Sequence, residues 1–242
     1  MDFLKQLKNV KGLAEPLDTA QVNKLSRLLS KALSSSVYAS SLAAANGTLW
    51  FLSKKNGQKM VGQLCLERES CADLVGETIE INLDGKKLPV RIGPTSTVNT
   101  ALLRKHLSFT APVLIGRSKS FGGGDRLGLA GPAHIRAVRG KPLRIFLAQQ
   151  SIREMARTNR SPQEVMDDAG WAVLQEGFRD GFGSDADHLK TTQDIDRCLD
   201  AGFTLFTIDP GEHVDDRGWS MRRGIARAIR VGQLEESGND QS

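Results

Sequence analysis

The change of rhythm near residue 110 constrains this 242-residue chain more than any other feature. Before it, extended runs alternate with tight-turn signals. "TLWFLS" and "KMVGQLCLE" flank Asn56-Gly57, and "ETIEINLDGKKLPVRIG" turns at Asp84-Gly85. Both dipeptides suit two-residue hairpin turns, whose central positions need positive φ. Ahead of them, Val22, Leu25, Leu28, Leu29, Ala32 and Leu33 form one helical stripe. Residues 1–110 therefore read as a helix followed by a small antiparallel β-hairpin unit.

After residue 110 the pattern becomes strand, loop, helix, strand. "APVLIG" and "LRIFLAQ" are short apolar runs of buried-strand type, followed by the glycine-rich "RSKSFGGGDRLG" and the polar "QSIRE". "SPQEVMDDAGWAVLQEGF" opens with Ser161 as N-cap, Pro162 at the first helical position and Glu164 completing a capping box. Its buried stripe is Val165, Ala169, Ala172, Val173 and Phe178. Thr192 is placed to cap "QDIDRCLDA", Gly202 to end it, and "FTLFTI" to form a buried strand finishing at Asp209. Such alternation over residues 111–216 indicates an α/β protein with parallel βαβ units.

Composition narrows the function classes. Hydrophobic content of 39% with 25% charged residues is that of a soluble globular protein. No apolar run approaches the ~20 residues of a membrane span, and the N-terminus lacks a signal-peptide core. Cys65, Cys71 and Cys198 have no zinc or redox spacing, which suits reduced thiols in a cytoplasm. Five arginines stand out after residue 216, in "RGWSMRRGIARAIR", and the rest of the chain is nearly balanced, without aromatics interleaved among basic residues. That favours a solvated surface over a nucleic-acid groove, and neither nucleic acid nor membrane is expected as a partner.

In parallel α/β architectures, functional groups gather at the carboxyl ends of strands. Polar residues fall there four times: Asp125 and Arg126; Gln149, Gln150, Ser151 and Arg153; Asp185, Asp187, His188 and Lys190; and Asp209, Glu212, His213 and Asp215. "GGGD" is not a Walker motif, Asp209-Pro210-Gly211 is a turn sequence, His134 reads as structural, and His106 as a surface residue. Asp187-His188 is the notable pair. A twist or bulge at the strand end would let the two side chains share a cavity, although simple alternation puts them on opposite faces. Spacing alone leaves two readings open, ligands of a divalent metal or a hydrogen-bonded anchor for a loop.

Four long motifs in order, "SFGGGDRLGLAGPAHIRAV", "LAQQSIREMARTNRSPQEVMDDAGWAV", "GFGSDADHLKT" and "GFTLFTIDPGEHVDD", resemble the tagaturonate/fructuronate epimerase family of bacterial hexuronate catabolism. The likeness is densest over residues 112–216, with a weaker trace back to about residue 35. It implies a cytoplasmic, metal-dependent, (β/α) TIM-barrel-like isomerase acting on D-tagaturonate and D-fructuronate. By that resemblance Asp187 is the proton acceptor and His188 a ligand of the divalent cation. Asp125, Arg126, Gln149 and Gln150 match positions at the barrel mouth, and Arg126 or Lys190 is placed to pair with the sugar-acid carboxylate.

The two sugars differ at a carbon that the ketone does not acidify, so simple enolisation cannot invert it. A retro-aldol route fits: a base removes the hydroxyl proton, a C–C bond breaks to a metal-held enolate, and the aldehyde turns and recombines. The sequence departs from the family pattern at Gly131 and Ala133, and residues 217–242 form a divergent Arg-rich tail. We expect an incomplete barrel that needs a complementing fragment or an oligomer, with little activity alone. An aldolase-like enzyme of ketose phosphates and a non-catalytic sugar- or partner-binding fragment are the alternatives.

Overall fold

The computed structural model describes residues 18–66, 71, 73–83 and 85–211. The sequence-predicted tail, and with it Glu212, His213 and Asp215, lies outside the described residues.

Helix α1 (Thr19–Leu33) buries Leu25, Leu29 and Leu33 of the predicted stripe against an antiparallel sheet, with Val22 and Leu28 partly buried beside them and Ala32 exposed. That sheet comprises β1 (Ser36–Val37), β2 (Ala43–Ala45), β3 (Thr48–Lys55), β4 (Gln58–Cys65), β5 (Glu77–Leu83) and β6 (Lys86–Pro94). Its order is β1-β3-β4-β6-β5, with β2 paired to β3. Asn56 and Gly57 both take positive φ, 51° and 85°, which matches the twist of the flanking strands and sets the register Lys55↔Gln58. At the second hairpin Leu83 faces Lys86, and Asn82 Oδ1 accepts from Gly85 N–H at 3.0 Å. Asp84 lies outside the described residues.

Cys65 and Cys71 are joined as a disulfide, which corrects the expectation of reduced thiols for this pair. The strand end and the following segment bring their Cα atoms to 5.4 Å, within bridging range. Cys198 is a free, buried thiol, and burial raises its pKa to about 11.

Helix α2 (Thr97–His106) follows the sheet, with Ser96 as its N-cap. Next come β7 (Ser120–Gly122), α3 (Gly131–Val138), β8 (Arg144–Ser151), α4 (Ile152–Thr158), α5 (Pro162–Glu176), β9 (Phe182–Leu189), α6 (Thr192–Asp200) and β10 (Leu205–Ile208). β7 to β10 form one parallel sheet in sequential order. Each crossover is helical, and Ile135, Val138, Ile145, Leu147, Val165 and Val173 share one core with the sheet. No described helix is long and apolar enough to cross a membrane.

Helix α5 joins the two halves. Ser161 and Glu164 form the predicted capping box, and all five predicted stripe residues are buried. Its other face carries Trp171 and Leu174, which pack with Trp50, Leu52 and Leu103. Arg104 of α2 pairs with the buried Asp167 of α5 at 2.9 Å. A helix covered on both sides needs apolar residues beyond one stripe.

Four local expectations change. "APVLIG" is not a strand: Val113 N–H donates to Phe182 O, Leu114 is 81% exposed, and the first parallel strand lies in the glycine-rich "SFG" instead. The α6 cap is Thr191, whose side chain accepts from Asp194 N–H, one residue earlier than expected. "FTLFTI" does form a strand, but at the sheet edge, where Leu205 and Ile208 are exposed because no further described strand covers them. His106 is half-buried, its ring 5.5 Å from that of Trp50, and so is not a plain surface residue.

Candidate active site

Two irregularities in the parallel sheet decide which side chains meet. Pairing between β8 and β9 shifts between Phe146 and Ala148, so Leu147 is an extra residue. A bulge reverses the alternation beyond it. Without it Gln149 would share the helix-packed face with Ile145; with it, Gln149 lies opposite Asp185 on the face away from the helices. Gln150 turns to the helices, where its amide accepts from Arg160 at 2.8 Å and donates to Thr158 at 3.3 Å.

The second shift lies between β9 and β10, where Ala186 pairs with Phe206 and Leu189 with Ile208. The surplus residue is in β9, and His188 takes φ +56°, a left-handed conformation that costs a non-glycine residue about 1–2 kcal/mol. Asp187 and His188 are consequently in contact, Asp187 Oδ1 to His188 Nδ1 at 2.8 Å. Strain of this kind concentrates where a site needs a particular side-chain direction. Asp187 is mostly covered and the His188 ring more than half exposed. With Nδ1 engaged by the carboxylate, Nε2 is the ring nitrogen left to meet a ligand.

Asp185 stands beside this pair and had no role in the sequence-derived site. It is buried, accepts from Thr207 Oγ1 of β10 at 2.9 Å, and lies 3.4 Å from Gln149 Nε2. Burial pushes its carboxyl above the usual range and the neighbouring Asp187 adds to that, against the hydrogen bonds from Thr207 and Gln149. The same sheet face carries Gly122 and Gly183. A Cβ on Gly122 would stand 2.5 Å from Gln149 Oε1, and one on Gly183 2.6 Å from the Phe146 ring. The period of two in Asp185 and Asp187 was a signal for Asp185; Thr207, in an apolar strand, gave none.

The other expected residues have local partners. Asp125 accepts four backbone N–H groups, from Leu127, Leu129, Ala130 and Gly131, at 2.7–3.3 Å. Its carboxylate closes the glycine-rich loop and occupies donors at the start of α3 that a phosphate would otherwise use. Arg126 pairs with Glu154, donating from Nε at 2.7 Å. Glu154 also completes a capping box with Ser151, which therefore caps α4. Lys190 is exposed just beyond β9. His134 has a buried Nδ1 without a hydrogen-bond partner, packed near Gly123. Asp209 Oδ1 accepts from Gly211 N–H at 2.9 Å, the expected turn. The structure thus brings Gln149, Asp185, Asp187, His188 and Thr207 together, and gives Asp125, Arg126 and Gln150 other contacts.

Among the described residues no three His, Cys, Asp or Glu side chains converge as a cation site. His188 offers one nitrogen ligand, which is too few for a site that takes about four to six.

A family model described as tagaturonate epimerase matches residues 38–228. The chain belongs to the tagaturonate epimerase family. The family match runs past Asp216, where the sequence motifs fade. A curated tagaturonate/fructuronate epimerase from Thermotoga maritima is 50% identical over 116 residues, covering 48% of this chain and 24% of that protein. The native crystal structure of the Cohnella laeviribosi fructuronate-tagaturonate epimerase matches with a TM-score of 0.70 at 35% identity, over 88% of this chain and 42% of that one. A form with two glycerols matches at 0.71 and 33% identity, over 88% and 44%. The chain therefore spans less than half the length of these epimerase-family relatives.

Proposed function

We propose that this chain is part of an epimerase interconverting D-tagaturonate and D-fructuronate, with its reactive centre at the carboxyl end of β9. The observation that carries the reading is the bulged, left-handed backbone at His188, which sets Asp187 and His188 against each other beside Asp185. The names of the relatives supply the substrate class. The strictly sequential order of β7 to β10 supports a (β/α) TIM-barrel arrangement, in which strand carboxyl ends form the mouth.

Asp187 serves as the base. It takes the proton of the substrate hydroxyl on the carbon to be inverted, and the new C=O forms as the bond to the adjacent carbon breaks. That electron pair passes to the ketone as an enolate. After the aldehyde turns, the enolate carbon attacks its other face and Asp187 returns the proton. Gln149, fixed by the bulge, donates toward this face, and Asp185 holds it from below. Substrate dependence on a divalent cation, with His188 as one ligand, belongs to the same proposal. The open edge of β10 and the lone imidazole support completion of the site by further strands, whether from a continuous chain, a second fragment or another copy.

Imidazole ¹⁵N spectra test the location. The chain has four histidines. Adding D-tagaturonate should move the His188 Nε2 resonance, assigned by its loss in His188→Gln, and leave His106 unchanged. A shift at His106 or His134 with none at His188 would place the sugar acid elsewhere.

A further inference from the structure

The opposite end of the parallel sheet holds a second charged hollow, independent of the epimerase reading. It is an open hollow of about 720 Å³, lined by Lys119, Lys141, Arg144 and Arg179 with Asp180 as its one carboxylate. The strand starts build it. Arg144 opens β8, its N–H donating to Lys119 O, and its guanidinium is held by the Asp180 carbonyl oxygen. Arg179 lies half-buried in the turn between α5 and β9, its guanidinium carbon 4.2 Å from the Phe109 ring centroid.

Arg179 forms no ion pair with any described carboxylate, and burial alone lowers its pKa. A partly desolvated guanidinium that pairs with no described carboxylate keeps donors that an anion in the hollow can fill. β8 separates this hollow from Asp187 by about 20 Å, at ~3.3 Å per residue, so it cannot serve the same substrate molecule. The volume is that of a small-molecule site, and two guanidinium forks with two ammonium groups suit an anion carrying more than one charge.

We infer that the Lys119–Lys141–Arg144–Arg179 hollow binds a small organic phosphate, a sugar phosphate or nucleotide, at the amino-terminal end of the sheet.

Calorimetric titration of the 242-residue chain with ATP, fructose 1,6-bisphosphate and inorganic phosphate, at about 0.15 M salt, tests this. At least one organic phosphate should bind at least about tenfold more tightly than inorganic phosphate. Arg179→Gln and Lys119→Gln should each weaken it by about tenfold, while Lys24→Gln, an equal charge loss on α1, leaves it unchanged. Lys119 is exposed, so its variant keeps the test valid should Arg179→Gln disturb folding. Absence of binding by both organic phosphates would overturn the inference. So would equal affinity for inorganic phosphate or an equal loss in Lys24→Gln.

Discussion

A histidine at φ +56° next to a carboxylate gives this site its most specific chemistry. Asparagine tolerates left-handed backbone and a β-branched residue does not, so backbone cost and side-chain function can be separated. His188→Asn should keep near wild-type stability in urea unfolding, whereas His188→Val should lose about 1–2 kcal/mol. Equal losses would mean that the ring, not the backbone, is what the fold depends on. Asp185 makes a second prediction. Its folded-state pKa is raised, chiefly by burial. The folded protein then holds its proton more tightly than the unfolded chain does. The associated stability is present below the unfolded value of about 4 and is lost as pH rises through the folded pKa. Asp185→Asn should therefore remove part of the fall in melting temperature above about pH 4, and gain most relative to wild type at neutral pH. An unchanged pH profile would show that Asp185 ionises without penalty.

At the scale of elements, α5 is the part on which both halves of the described structure rely. Its N-cap satisfies the Glu164 N–H through Ser161 Oγ, and Glu164 returns a bond to Ser161 N–H at 2.7 Å. Ser161→Ala should cost about 1 kcal/mol in denaturant unfolding, with the transition staying single. A separate early transition would show that the two cores unfold independently. This helix was readable because cap, proline, box and period agree in sequence. β7 was not: "APVLIG" carries the apolar signal of a strand, but only three residues of "SFG" pair with β8. A short apolar run does not by itself decide whether its segment becomes a strand. The bulge at Leu147 was equally hidden, and it exchanged the faces of Gln149 and Gln150. Motif matching located both residues at a strand end; only the hydrogen-bond register separates the one facing Asp185 from the one facing Arg160.

For the whole molecule, the proposed centre at the end of β9 stands on a chain that covers 42% of the native Cohnella laeviribosi structure. The proposal that further strands complete the site rests on the sequential parallel order of β7 to β10 and on the exposed β10 edge. Conversion of D-tagaturonate to D-fructuronate is the direct test. The chain would be mixed with the complementary segment of the Cohnella laeviribosi protein and Mn²⁺, Zn²⁺ or Ni²⁺, beside each part alone. Conversion should appear in the mixture and fall by about 10²- to 10⁴-fold in Asp187→Asn. Conversion unaffected by Asp187→Asn, or none in any mixture whose two parts are shown to associate, would contradict the placement of the reaction at the end of β9.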